Sequence, residues 1–521
     1  MWDGVLVLEW VAGRQGFYGV RNRNQIPLDG LVVLRNATLE DMSWRTGGGA
    51  ALLGETAGST LVGRAAVDFW VDAATQRTLV TFSDGTLRKD NGAGASWVTL
   101  ASALTTTGQV PHWALGGAES SGRNRKAFHS DRVNTVRVLS GDGATVSVIG
   151  NPPADWSGAN QPGFLVAHDG FLFGGGVANA PHTIYRSTRA DHEDFLTFPY
   201  SIPIDPDTGE RLVAGVSYKG GLLLLKYPVG AYWLDTRDPD DARWRVFKIA
   251  QAGARGPYNA IGVEDDVMWV SPDFGFHLAS ATQAAGSIKG TDISAASLGA
   301  WARDNLNRDE LATAQLLYYS DKREVMLACA GQGQTNKNRR LHVELSRAAD
   351  VGLRWIAWDR DRNEALFLRK VSGVEIPAMV NAAGEVWNLD RAARSAPAGT
   401  GYTFQWETRD TDLGEVVPEL RGKRKNLRFI QLEYSARTAA SHTISVIQDG
   451  SARQAVTFAL DAGPATLPGT LPLTLRGEEL RLTPRRRLRG QCRRLALSGQ
   501  TGEAGADVSV TRILVGLEAG E

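Results

Sequence analysis

The sequence predicts an almost entirely β fold. Its 521 residues include 58 glycines and 15 tryptophans, and short β-branched or aromatic runs alternate with glycine-rich turns, a pattern typical of all-β chains. Helical periodicity is confined to two short stretches, around residues 293–305 and 391–395. We therefore expect short strands and tight turns along most of the chain.

A divergent repeat between residues 64 and 395 indicates the architecture. Each unit has a strand, an Asp- or Gly-containing turn, an apolar strand, and a later strand that often carries Tyr or Trp. Such units are typical of β-propeller blades, and about seven fit, although six or eight also fit. A series of ordinary β-sandwiches is the alternative. The seven units are 66–100, 113–150, 164–198, 212–249, 260–278, 313–358 and 365–389.

Composition divides the chain into three predicted domains. Residues 1–63 do not match the repeat and are predicted to form an extended arm, which either packs on another surface or donates a strand to the last blade. Residues 64–395 form the predicted propeller. A linker rich in small residues, Pro and Gly follows at 392–401, and regularly alternating strands then predict a C-terminal β-sandwich over 396–521.

Bulk properties exclude several classes of protein. The 57 basic residues balance the 57 acidic residues, so global charge does not favour a nucleic-acid binder. Two distant cysteines, Cys329 and Cys492, exclude a disulfide framework. The N-terminus lacks signal-peptide features, and the longest apolar run, around Leu222–Leu225, is far below the ~20 residues of a membrane-spanning helix. We expect an intracellular origin, or assembly inside a cell followed by release, and no membrane-spanning segment.

Motifs for catalysis, cofactors and metals are missing from the sequence. The eight histidines show no metal-ligand spacing, and no nucleophile elbow, P-loop or dinucleotide fingerprint occurs. The acidic runs Asp191–Asp194, Asp205–Glu210 and Asp235–Asp241 are interpreted as solvated loops or turns, with a bound cation as the alternative for the first and calcium as the alternative for the other two. Asp90–Trp97 is similar to one sialidase Asp-box but occurs once. We expect no enzyme, cofactor or metal site.

An arginine-rich stretch is the strongest candidate for binding. It lies on or between strands near the C-terminus, with Glu478 and Glu479 as its only acids. Its charges either protect a solvated sheet edge against aggregation or contact a partner, and a protein partner is favoured over DNA. Its arginines are Arg476, Arg481, Arg485, Arg486, Arg487, Arg489, Arg493 and Arg494.

Three stretches also carry a family resemblance. They are Thr183–Ser187 continuing through Asp191–Phe195, the hairpin Tyr218–Lys226 with Gly230–Leu234, and the strands Arg485–Leu497 and Val508–Leu517. In this order they are similar to the propeller-containing nozzle, or tail-stabilisation, proteins of short-tailed bacteriophages. The resemblance covers most of residues 64–521 but does not include the N-terminal arm, whose docking role stays open.

The resemblance implies a structural virion protein rather than an enzyme. It implies a homo-hexameric ring below the portal and adaptor, contacts with other tail proteins, and genomic DNA passing through the lumen without sequence specificity. The location implied is the virion tail, assembled in the host cytoplasm. Two alternatives stay open, a glycan-binding or sialidase-like propeller and a cellular scaffold propeller. A single Asp-box-like segment counts against the first, and missing WD or Gly-His repeats count against the second.

Overall fold

The computed structural model describes most of the chain. Two α-helices occur in this part, α1 (Ala279–Ala284) and α2 (Trp301–Asn305), and neither is long and apolar enough to cross a membrane. The described residues are 6–11, 18, 26–27, 30–40, 43–46, 51–52, 61–70, 76–91, 96–107, 110–117, 125–141, 145–284, 292–346, 353–359, 363–371, 374–389, 403–462, 480–501 and 506–519.

Forty strands make up most of this part of the chain. The N-terminal strands are β1 (Leu6–Val11), β2 (Leu31–Arg35), β3 (Ala37–Glu40), β4 (Ser43–Thr46) and β5 (Ala51–Leu52). The central strands are β6 (Gly63–Trp70), β7 (Gln76–Phe82), β8 (Leu87–Asp90), β9 (Trp97–Ala101), β10 (His112–Gly117), β11 (Arg125–Ser130), β12 (Arg137–Leu139), β13 (Val146–Val148), β14 (Phe164–His168), β15 (Phe171–Gly175), β16 (Thr183–Arg186), β17 (Tyr200–Pro203), β18 (Arg211–Tyr218), β19 (Gly221–Tyr227), β20 (Val229–Asp235), β21 (Arg245–Ala252), β22 (Ala260–Val263), β23 (Asp266–Val270), β24 (Phe276–Leu278), β25 (Gln315–Tyr319), β26 (Glu324–Cys329), β27 (Arg339–Glu344), β28 (Arg354–Trp358), β29 (Ala365–Val371), β30 (Val374–Val380) and β31 (Val386–Asn388). The C-terminal strands are β32 (Phe404–Thr408), β33 (Lys425–Ala436), β34 (Ala440–Gln448), β35 (Ser451–Leu460), β36 (Arg481–Leu482), β37 (Arg486–Arg487), β38 (Gln491–Cys492), β39 (Leu495–Thr501) and β40 (Val508–Ala519).

The central strands form a closed seven-bladed β-propeller. Consecutive antiparallel strands build the seven blades, of which the fifth has three strands in the described residues. Each innermost strand lies beside that of the next blade, and the innermost strand of blade 7, β29, lies beside that of blade 1, β6. The predicted propeller of about seven blades is therefore confirmed. The blades are β6–β9, β10–β13, β14–β17, β18–β21, β22–β24, β25–β28 and β29–β31.

The hairpin turns show how local sequence sets the blades. At Asp169 and Gly170 both φ angles are positive, 46° and 76°, as a two-residue hairpin with the twist of its strands requires. Asp84-Gly85 forms a different turn, because only Gly85 has positive φ, 76°, and the Asp84 carboxylate instead accepts the Thr86 amide at 3.1 Å.

The N-terminal segment closes the ring. Strand β5 pairs antiparallel with β31, opposing Leu52 to Trp387 and Ala51 to Asn388, so it is the outermost strand of blade 7. Of the two arrangements predicted for the N-terminal segment, strand donation to the last blade is the one that β5 adopts. The added strand covers an edge that blade 7 otherwise exposes.

The C-terminal strands form the predicted β-sandwich, and the N-terminal segment takes part in it. One sheet has the order β3-β4-β40-β33-β36, with β1 on β40 and β37 and β38 on β33. The other runs β2-β32-β39-β34-β35 and continues from β28 of blade 6 through one parallel pairing, Arg35 with Ala357. The buried ion pair between Arg45 and Asp507, 2.6 Å, also joins the N-terminal segment to the sandwich.

One hydrophobic core connects blades 5 and 6 to the sandwich. It contains the fully buried Trp355 of blade 6, Phe276 of blade 5 and Trp406 of the sandwich. The Trp406 indole packs so closely on Gly499 that a Cβ there would lie 2.2 Å from it, so only glycine fits. The boundaries at residues 63 and 395 stay predictions.

The helix prediction for residues 293–305 was mostly wrong. Only Trp301–Asn305 is helical, and residues 293–300 form turns. The Asp292 carboxylate accepts the Ser294 amide, 2.9 Å, and the Ser294 hydroxyl, 2.5 Å. Such local bonds offer the backbone an alternative to a helix. The second helix prediction, 391–395, lies outside the described residues.

Candidate functional site

Seven of the eight predicted arginines lie together on one sheet edge, here named the basic ribbon. Arg476 lies outside the described residues. Strands β36, β37 and β38 pair successively with β33 and so run along the outer edge of the eight-stranded sheet. The arginines therefore lie on these three short strands and on the segments next to them. The ribbon comprises Arg481, Arg485, Arg486, Arg487, Arg489, Arg493 and Arg494.

Three ribbon arginines have partners within the sandwich. The Arg494 guanidinium pairs with the Asp410 carboxylate, Nε to Oδ2 2.7 Å. Arg485 lies over the Phe429 ring, 4.5 Å from its centroid. Arg481 donates to the Ala462 carbonyl at 3.3 Å. These three side chains serve the sandwich itself.

The other four, Arg486, Arg487, Arg489 and Arg493, are exposed. Within the described part of the chain their guanidinium groups have no ion-pair or hydrogen-bond partner. Their charge is therefore available to a partner.

The backbone of the ribbon is held in place even though these side chains are not. The Gln454 amide group of the opposite sheet accepts the Arg489 amide at 3.1 Å and donates to the Arg487 carbonyl at 3.3 Å. The fully buried Lys425 ammonium donates to the Arg493 carbonyl at 2.6 Å. The ribbon thus presents cationic side chains from a fixed backbone.

A second candidate site is a cavity of about 500 Å³, here named the channel-mouth cavity. Its walls come from residues at or just before the innermost strands of blades 1, 2, 5, 6 and 7, and from the loops that follow the second strands of blades 1 and 6. In a blade of antiparallel strands these segments lie at the same end, so the cavity lies at one end of the propeller. The sequence does not indicate this cavity, because its lining residues come from loops of five blades that share no motif. It is lined by Val62, Arg64, Ser83, Thr106, Thr107, Val110, Pro111, Tyr258, Glu310, Ala312, Thr313, Gln315, Thr335, Asn336, Lys337 and Glu364.

Tyr258 connects two separate blades at this end of the propeller. It precedes blade 5, yet its hydroxyl accepts the backbone amide of Trp113 in blade 2 at 2.8 Å. Its ring packs on His112, with centroids 4.8 Å apart. Blades 2 and 5 are not neighbours in the ring, so this side chain joins two separate blades and helps to fix the cavity wall.

The cavity carries balanced charge. Arg64 and Lys337 are its two cations, and Glu310 and Glu364 its two carboxylates. Lys337 is buried, its ammonium donates to the Glu364 carbonyl, and burial lowers its pKa to about 8 against the opposing effect of the Glu364 carboxylate. Most of the remaining polar wall is hydroxyl or amide.

The acidic loop Asp205–Glu210 surrounds an ammonium group. The fully buried Lys226 of β19 donates to the Asp205 carbonyl at 2.9 Å and the Thr208 hydroxyl at 2.7 Å, and its Nζ lies 3.7 Å from Glu210 Oε2. A lysine of this chain therefore already supplies a positive charge to the oxygen atoms of this loop.

The other acidic runs also have partners. In Asp191–Asp194, Glu193 pairs with Lys126. Hydrogen bonds lower the pKa of Asp194 to about 2, and the bond from the Thr197 hydroxyl has the largest effect. In Asp235–Asp241, Asp241 pairs with Arg186 at 2.5 Å. Among described residues, no group of three or more His, Cys, Asp or Glu is arranged to hold a metal ion.

The Asp-box-like segment also has a structural role. The buried Asp90 carboxylate accepts the Thr78 amide at 2.7 Å, and the Trp97 indole donates to the Gly384 carbonyl at 3.1 Å. These bonds connect strands within blade 1 and connect blade 1 to blade 7.

Comparisons with known proteins find no clear relative in sequence. No protein-family model matches the chain, and no curated protein matches it significantly. YCF48 bound to a D1 peptide aligns with a TM-score of 0.38 and 11% identity, over 66% of this chain and 94% of that one. PorZ, a surface component of the type-IX secretion system of Porphyromonas gingivalis, aligns with a TM-score of 0.37 and 12% identity, over 64% of this chain and 38% of that one. An exo-β-1,3-galactanase from Phanerochaete chrysosporium aligns with a TM-score of 0.30 and 10% identity, over 89% of this chain and all of that one. Similarities at this level carry no argument about activity or partners.

Proposed function

We propose that this protein is a structural component of a bacteriophage tail. Copies assemble into a ring, a homo-hexamer below the portal and adaptor, whose lumen extends the path of the genomic DNA. The basic ribbon binds an acidic surface of the neighbouring copy. The observation that supports this most is the fixed sheet edge with four exposed arginines that lack ion-pair partners among the described residues.

The distribution of charge supports contacts between copies. Seven of the 57 basic residues lie in the ribbon. The rest of the chain has 50 basic and 57 acidic residues, and it therefore carries a net charge of −7. A basic edge on one copy and an acidic surface on the next make a head-to-tail contact, and such contacts generate rings when the rotation closes.

The ribbon also favours protein over DNA as its direct partner. Its arginines lie on one edge of the sandwich, and the chain as a whole has no net positive charge with which to bind phosphates. DNA then passes through the assembled ring without sequence-specific contacts, and the protein is located in the virion tail after assembly in the host cytoplasm.

Neutralising the ribbon is expected to prevent assembly. The variant R486Q/R487Q/R489Q removes three exposed charges without touching the core, and light scattering should show monomers where the unmodified protein forms rings. Because these charges are solvent-exposed, about 0.5 M NaCl should weaken the unmodified ring as well.

The matched control is R303Q/R308Q/K322Q, which removes three exposed charges from the propeller. The control should assemble like the unmodified protein. Equal assembly of the ribbon variant and the control would contradict the ribbon's role in the contact.

A further inference from the structure

We propose that the channel-mouth cavity binds a neutral, polyhydroxylated ligand, a mono- or disaccharide unit of a glycan. This site is separate from the basic ribbon and does not depend on ring assembly. Its volume of about 500 Å³ lies within the range of cavities that bind small molecules.

Charge balance selects a neutral ligand. Arg64 and Lys337 oppose Glu310 and Glu364 in one cavity, and the Lys337 ammonium is influenced by all three others. A ligand with a net charge is attracted by the two groups of opposite charge and repelled by the two groups of like charge, so it gains little electrostatic free energy on binding. A neutral polyol gains from both, because its hydroxyl groups donate to carboxylates and accept from guanidinium and ammonium groups.

The Glu310 carboxylate is the group most available to such a ligand. It is half-buried in the cavity wall, makes no cap hydrogen bond to its own helical turn, and has no hydrogen-bond or ion-pair partner in the described part of the chain. Its backbone is fixed, since the Thr313 hydroxyl donates to its carbonyl at 2.9 Å. A fixed carboxylate without a donor suits a pair of neighbouring sugar hydroxyls.

The remaining wall is polar, uncharged and preorganised. Hydroxyl groups come from Ser83 and from four threonines. The Gln315 side chain joins three blades, because it donates to the Arg64 carbonyl at 3.0 Å and accepts the Leu366 amide at 2.6 Å. Preorganised walls reduce the entropy lost on binding.

A glycan array tests the proposal, with immobilised neutral, sialylated and sulfated glycans as probes, followed by calorimetry with the best soluble neutral sugar. We expect neutral glycans to bind, with a Kd that changes less than about threefold between low and high salt because no net charge is involved. E310Q should weaken binding at least about tenfold, the usual effect of losing a charged hydrogen bond. T335W, at the exposed rim, should block entry.

The matched control is E375Q, an exposed glutamate on β30, which should bind like the unmodified protein. A silent array, binding restricted to acidic glycans, or full affinity in both E310Q and T335W would each overturn the proposal. The mass of the assembly is measured separately, so this site and the ring can fail independently.

Discussion

Lowering the pH from about 7 to about 4.5 is expected to unfold the protein, because three histidines, two of them buried and one partly buried, are neutral in the folded state. Burial lowers the pKa of His112 to about 3, of His129 to about 4 and of His442 to about 3, from an ordinary 6.5. The unfolded chain thus binds protons that the folded chain does not, and stability is lost as the pH falls below 6.5. Each histidine contributes up to about 1.4 kcal/mol per pH unit, and together they approach the stability of a typical domain.

Replacing one of these histidines isolates the effect. His442 lies in the sandwich core, where its Nε2 accepts the Trp406 indole at 3.2 Å and its Nδ1 contacts the Thr501 hydroxyl at 2.6 Å. In H442Q, the slope of unfolding free energy against pH between 6.5 and 4.5 should fall by about 1.4 kcal/mol per unit. Urea titrations at several pH values measure it, and an unchanged slope would contradict a neutral buried His442.

Removing the ammonium group of Lys226 is expected to destabilise the protein strongly. K226M removes the donor that the Asp205 carbonyl and the Thr208 hydroxyl share, and it leaves the Glu210 carboxylate without its ion-pair partner. Breaking a buried charged interaction of this kind costs about 3–5 kcal/mol, which urea unfolding measures directly.

Lys248 supplies the matched control, because it also approaches Asp205, at 3.7 Å, but is about one-third exposed. K248M should cost less than about 1 kcal/mol. Millimolar calcium should leave the Tm of the unmodified protein unchanged. Equal costs for K226M and K248M, or a calcium-induced rise in Tm, would contradict the assignment of the loop to Lys226.

The sequence predicts features that depend on neighbouring residues. Strand alternation and turn chemistry are local, so the blade hairpins and the strand character of the arginine-rich stretch were predicted. The pairing of β5 with β31 was anticipated as one of two alternatives, because residues 1–63 lack the repeat and a closed ring needs its last blade covered.

Features that depend on contacts between distant residues were not predicted. The channel-mouth cavity draws on five blades, and Tyr258 shows no sequence signal of its bond to Trp113, 145 residues away. The acidic composition of Asp205–Glu210 suits calcium or an ammonium group equally. Lys226 follows an apolar run that is typical of a core strand. Its sequence position therefore gives no sign that its ammonium group lies beside the acidic loop in the folded protein. The joining of the N-terminal segment to the sandwich also depends on distant partners such as Arg45 and Asp507.

The solution mass of the unmodified protein tests the central claim most directly. Multi-angle light scattering, on the protein alone and after mixing with a portal–adaptor complex, measures it without labels. The tail-ring proposal predicts a mass near six chains, or assembly to that mass on mixing. A monomer that persists at all concentrations and with the portal–adaptor complex would contradict it.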